Sequence, residues 1–367
     1  MKRILVANGK VVFPDSVKKT SLLIAGGKIQ SIGPAKNYDE KIDAAGLYVL
    51  PGLIDLHYHG LFISPEPEKV KPQLERMRVM LARRGVAGFL ATFPAMPVSK
   101  LCECLIALRE AAEKKAGNGA HLLGVHLEGP FLSKDAKGAQ PQDAIVEFDP
   151  HSKEMLKIFD AGKGMIKIMT FAAEQKSAKE LCRMLARKKI IPSIGHSAAS
   201  YEKAMELMEC GAKGITHIFN AMSGIHHRDP GVALAGLDER FYKEVIVDGY
   251  HLHPKIVKMI WKLTPAGKFI LITDFVGDEE PLDFEPPRFG NKSFAGSRLR
   301  MLRAIRNLIN FTGASICDAV SAASLWPAKI LGLNNLGQIQ KGAEANLILV
   351  DNKFSARKII LKGKVID

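Results

Sequence analysis

Nowhere in the 367 residues is there an apolar run approaching the length of a membrane-spanning helix, which excludes a helical membrane anchor within it. Disulfide and CxxC chemistry is equally thin. The five cysteines (Cys102, Cys104, Cys182, Cys210 and Cys317) are odd in number and form no CxxC pair, which argues for reduced thiols in a cytoplasmic setting. Cys102 and Cys104 stand two apart in a helical pattern, where side chains do not face each other, so they read as packing. The opening MKRILVANGK offers four apolar residues before Asn8 and Gly9, too few for a signal-peptide core. Low-complexity tracts and internal repeats are also missing.

What is present is ordinary globular material: 47% hydrophobic and 25% charged residues, enough for a sizeable core. The length exceeds the usual single domain but fits one α/β barrel plus a small appendage. A formal charge of +14 raises the question of nucleic acid. The basic residues are scattered along RMRVMLARRG, LREAAEKKAG and RLRMLRAIRN, where helical spacing puts most of them on solvated faces. No nucleic-acid partner is expected; the milder consequence is attraction of small anionic substrates.

The first fifty residues and the last thirty-odd read as short strands and turns, with Asn8-Gly9 and Gly26-Gly27 as hairpin signals. Together they predict one small β domain through which the chain enters and leaves. Between them lie eight apolar strand candidates: 53–57, 86–92, 122–128, 166–171, 190–195, 214–218, 244–248 and 269–273. Helical patterns fill most of the gaps, at 71–85, 99–116, 177–189, 200–211, 253–263 and 298–313. Eight strand-then-helix units predict an α/β fold with a closed parallel (β/α)8 barrel, whose active site lies at the C-terminal rim of the strands. The acidic, proline-containing stretch 277–290 reads as a wall or lid of that site.

Polar residues collect at that rim. His57 and His59 end the first strand two apart, so both side chains point into the interior. Glu128 ends the third strand, where a buried carboxylate needs a cation. His196 and His217 follow the fifth and sixth strand patterns; with Glu128 they supply a nitrogen and oxygen donor set that suits zinc or iron. Asp274, after the last strand, fits a general base beside a metal-activated water. His226, His227 and Arg228 form a basic loop suited either to an anionic group such as phosphate or to plain solvent exposure. His251 and His253 read as a second-layer pair or as substrate donors, or His253 simply starts a helix before Pro254.

The segments PGLIDLHYHG, HLEGPFLSKDAKGAQ, GHSAAS, THIFNAMSGIHHRDPG, VDGYHLHP, TDF, FAGSRLRMLRAIRNL and GQIQKGAEANLILVD, in this order, resemble the amidohydrolase superfamily over nearly the whole length. Within it the resemblance is greatest to the N-acetylglucosamine-6-phosphate deacetylase family. It implies a (β/α)8 barrel over 51–333, with a small β-sandwich from residues 1–50 and 334–367. It also implies a divalent ion, zinc or iron, on Glu128, His196 and His217, with His57 and His59 able to hold a second. Asp274 would be the catalytic acid and base, while Gln140, Asn220, Ala221 and His251 would meet the sugar or its acyl group. Arg228 would meet the phosphate, in a homodimer from the neighbouring subunit. The implied reaction is metal-dependent removal of the N-acetyl group from an amino-sugar phosphate. Another N-acyl sugar phosphate, a cyclic amide, or a non-catalytic scaffold stand as alternatives. This chain departs from the family's pattern after Gly60, where LFISPEPEKV follows, at Gln140, where the family has histidine, and after Asp274.

Overall fold

The computed structural model describes residues 2–113, 117, 119–277, 285–289 and 293–366. Of the expected loop at 277–290, residues 278–284 and 290 lie outside the described residues, as do 114–116 of the second expected helix.

The strands come in the expected order: β1 (Leu53–Gly60), β2 (Val86–Phe93), β3 (His121–Glu128), β4 (Ile166–Phe171), β5 (Ile191–Ile194), β6 (Gly214–Ile215), β7 (Tyr242–Ile246) and β8 (Phe269–Ile272). Each pairs in parallel with the next. Thr273 and Asp274 then interrupt the eighth strand, and its continuation β9 (Phe275–Val276) pairs in parallel with β1, Phe275 opposite Tyr58. The sheet therefore curls back onto its first strand, the arrangement of a TIM-like barrel. Every residue of β1, β2 and β7 is buried, because helices cover one face and interior side chains the other. That double burial is why these strands read as continuous apolar runs.

The first helix, α1 (Pro67–Arg83), shows how the outer layer is fixed. Proline at its start suits a position whose N–H has no helical partner. Val70, Leu74, Met77 and Leu81 recur at steps of four, three and four and are all buried. Their burial contributes about 1.5–3 kcal/mol each. The helices Lys153–Ala161, Val232–Ala235, Ile316–Ala322 and Leu325–Ile330 were not expected from the sequence. All are shorter than three turns, too brief for a 3.6-residue period to stand out.

Both chain ends share one eight-stranded sheet. They meet where Tyr48–Pro51 pairs antiparallel with Leu347–Val350, Pro51 opposite Leu347. This sheet has a core of its own, with Val6, Leu22, Ile24, Val49, Leu347 and Leu349 among its members. Gly26 and Gly27 do form the tight turn between Val17–Ala25 and Lys28–Ile32, both at positive φ. Asn8 and Gly9 do not form a hairpin. They lie inside the continuous strand Arg3–Val12, where the register shifts between Val6 and Gly9 and Asn8 takes a φ of 65°. Asparagine tolerates that left-handed conformation in a β-bulge as readily as in a turn, so the dipeptide alone could not separate the two.

Candidate active site

Alternation along β1 sends Asp55, His57 and His59 to one face, the barrel interior. Asp55 sits deepest, accepting from the Thr273 hydroxyl at 2.5 Å and from the backbone N–H of His57 and Thr273. It thereby ties β1 to the end of β8. Burial pushes its carboxyl up to about 7, against the pull of those hydrogen bonds.

Above it, His57 turns Nδ1 to Glu244 Oε2 at 3.1 Å, while Nε2 lies 3.4 Å from Glu128 Oε1 and 3.5 Å from Asp274 Oδ1. His59 Nε2 stands 3.3 Å from both Glu128 Oε2 and Asp274 Oδ1. Glu128 Oε1 also meets His196 Nε2 at 3.1 Å and His217 Nε2 at 3.0 Å, and those two nitrogens are 3.2 Å apart. Residues separated by up to 217 positions in the sequence thus share one small volume.

The cluster demands a cation. His196 donates Nδ1–H to the Ala136 carbonyl, which leaves a lone pair on Nε2 aimed at the lone pairs of Glu128 Oε1. His57 Nε2, which faces Glu128 and Asp274, is buried without a hydrogen-bond partner among the described residues. In the metal-free chain protons must fill that role: burial opposes charge on His59, yet Asp274 and Glu128 outweigh it and raise the imidazole to about 9. His57 is raised in the same way, while Glu128 and Asp274, despite burial, are held below the usual carboxylate range by the imidazoles. Two imidazoles and one carboxylate converging in this way suit a zinc-type or iron(II) ion.

Backbone strain marks the same places. His196, His217 and Asp274 take φ values of 47°, 30° and 51°, in the left-handed region that costs non-glycine residues about 1–2 kcal/mol. The surroundings over-determine them: Asp274 N–H donates to the His57 carbonyl, and Ser297 N–H donates to the Asp274 carbonyl. Such strain concentrates at functional sites.

The cluster opens into a cavity of about 570 Å³. His251, Asn220, Ala221, Gln140 and Phe294 line it, as does Ile63 from the segment after Gly60 that departs from the family's pattern. His251 is fixed by Asp248, which accepts from Nδ1 at 2.6 Å. Asn220 spends its amide hydrogens on the carbonyls of His217 and Ile218. Arg228, with His226 and His227, lies on an exposed loop and does not line the cavity of its own chain. His253 caps the helix Pro254–Leu263 and takes no part in the site.

Sequence reasoning passed over Glu244, Asp55 and Asp248. A signal existed for Asp55, which shares the inward parity of His57 and His59.

Residues 48–366 match the model of the Amidohydrolase family. The chain is 33% identical to N-acetylglucosamine-6-phosphate deacetylase of Bacillus subtilis (strain 168), covering 99% of this chain and 96% of that one. It is 30% identical to N-acetylgalactosamine-6-phosphate deacetylase of Escherichia coli O157:H7, covering 94% of each. Its fold superimposes on the crystal structure of N-acetylglucosamine-6-phosphate deacetylase from Pasteurella multocida with a TM-score of 0.89 and 27% identity, over 99% of both chains.

Proposed function

Because this chain belongs to the amidohydrolase family, we propose that it hydrolyses the N-acetyl group of N-acetylglucosamine-6-phosphate, releasing acetate and glucosamine-6-phosphate. One observation carries the reading. Asp274, held against His57 and His59 at the mouth of a strained, buried His/Glu cluster, faces a cavity of about 570 Å³, room for a sugar phosphate.

Glu128, His196 and His217 would hold the principal ion, and His57 with His59 a second. A divalent ion there supplies Lewis-acid chemistry, polarising the acyl carbonyl and acidifying water. The chain's own residues do the rest. Asp274, ionised at neutral pH, accepts the proton of the attacking water and returns it to the amide nitrogen, which leaves as a neutral amine. His251, oriented by Asp248, steadies the acyl oxygen or the sugar, and Asn220 and Ala221 supply the wall beside it. Arg228 reaches the phosphate from the neighbouring subunit of a homodimer. Residues 51–333 form the (β/α)8 catalytic unit, and 1–50 with 334–367 a β-sandwich beside it. The enzyme works in the cytoplasm; among the described residues no helix is long and apolar enough to cross a membrane.

The likeness to a relative named N-acetylgalactosamine-6-phosphate deacetylase supports a second reading, N-acetylgalactosamine-6-phosphate as substrate. Acetate release from both isomers and from unphosphorylated N-acetylglucosamine, with the metal-loaded protein, separates the two. N-acetylglucosamine-6-phosphate is expected to give the highest kcat/KM, and the unphosphorylated sugar the lowest. Asp274→Asn is expected to lose about 10²- to 10⁴-fold in turnover at unchanged metal content. Turnover within a few-fold of the parent would remove Asp274 from the mechanism.

A further inference from the structure

Gln140 stands where the resemblance has a histidine and implies a contact to substrate, yet its amide is already engaged. Ala95 N–H donates to Gln140 Oε1 at 2.9 Å, and only the amide oxygen can accept such a bond, so the orientation of the group is fixed. The NH2 end therefore points to Glu128 and donates to Oε2. Gln140 is almost fully buried, and this pairing consumes both ends of its side chain.

The two oxygens of Glu128 are thereby divided. Oε1 faces His196 and His217, the remaining donors of the principal ion; Oε2 faces Gln140 and His59. The same short loop also fixes His196, whose Nδ1–H donates to the Ala136 carbonyl. The five residues 136–140 thus hold two of the three donors from outside. Gly138 lies between them at a φ of 58°, close enough that a Cβ there would touch the His196 ring at 3.3 Å.

We propose that Gln140 is a positioning residue for the ion, aiming Glu128 Oε1 at His196 and His217, and is not a substrate contact. The proposal deepens the reading of the site given above and rests on the ion being held by these three residues. It needs no substrate for its test. Outer-shell partners of metal ligands typically contribute about 10- to 100-fold in metal affinity.

Cobalt(II) affinity, read by visible absorption in competition with a chelator, is measured for the parent, Gln140→Leu and Gln140→Glu. Leucine removes the donor at similar volume. Glutamate keeps an acceptor for Ala95 N–H but sets a carboxylate against Glu128, so it separates loss of the donor from loss of packing. Both variants are expected to bind cobalt(II) about 10- to 100-fold more weakly, with kcat restored by excess ion and KM for the sugar phosphate unchanged. Cobalt(II) affinity within about twofold of the parent in either folded variant would overturn the proposal. A raised KM at full metal occupancy would return Gln140 to the sugar. A failure to deacetylate any sugar phosphate would leave the cobalt(II) result standing, and so tests only the earlier reading.

Discussion

At the scale of single residues, the site is a set of groups whose protonation depends on one another. His59 rises from its ordinary 6.5 to about 9 in the folded, metal-free chain, against burial, because Asp274 and Glu128 lie 3.3 Å away. A folded value above the unfolded one means that the native state binds the proton more tightly. The stability this contributes is complete below about pH 6.5 and is lost as pH rises through about 9. An ion that takes the place of the proton gains over the same interval, since ligands must be deprotonated to bind it. Melting temperatures of chelated and zinc-loaded protein, compared at about pH 6.5 and about pH 8.5, check this. The increment from zinc is expected to grow with pH; an increment that shrinks would contradict the assignment of His59 to the cluster. His126 makes the contrast on the next inward position of β3. Burial pushes it down to about 4, and it stays neutral, bonded to the Leu56 carbonyl and the Thr170 hydroxyl. Parity alone could not tell these histidines apart, because the difference lies in what the neighbouring strands bring to each.

At the scale of elements, the break in the eighth strand makes the site. The chain pairs with β7 as far as Ile272, leaves the ladder at Thr273 and Asp274, and resumes against β1. The segment after it locks the break, with Ser297 donating from its backbone to the Asp274 carbonyl and from its hydroxyl to the Thr273 carbonyl. Gly296 permits this approach. At a φ of 66° it is already in the left-handed region, and an added Cβ would lie 2.4 Å from Val276 Cγ1 and 2.7 Å from the Asp274 carbonyl oxygen. Gly296→Ala is therefore expected to lower both the melting temperature and turnover. Gly164→Ala provides the comparison, since Gly164 has a φ of 77° and a Cβ added there would meet nothing within 4 Å among the described residues, so it costs only the conformational term of about 1–2 kcal/mol. Equal effects of the two substitutions on turnover would show that the packing around Asp274 does not depend on Gly296. The strand runs and their order were legible from apolar content alone. The bulge at Asn8 and the four short helices were not, because each depends on a partner segment or spans too few residues to show a period.

At the scale of the whole molecule, the account depends on convergence. His57 and Asp274 are 217 positions apart, yet the curled sheet brings their side chains to 3.5 Å. The two chain ends close a second sheet beside it, so the molecule is tied at both its first and its last strands. The cluster of His and acid residues could be read from the sequence because burying them singly is costly, and that cost falls only when they meet. Their outer supports, Glu244 and Gln140, could not be assigned that way, since a lone carboxylate or amide in the sequence does not announce its partner. The convergence is tested most directly by anomalous diffraction from crystals of the zinc-loaded protein. A strong peak is expected at the barrel mouth, about 2.0–2.2 Å from Glu128, His196 and His217. Zinc bound elsewhere, with this cluster holding only water, would contradict it.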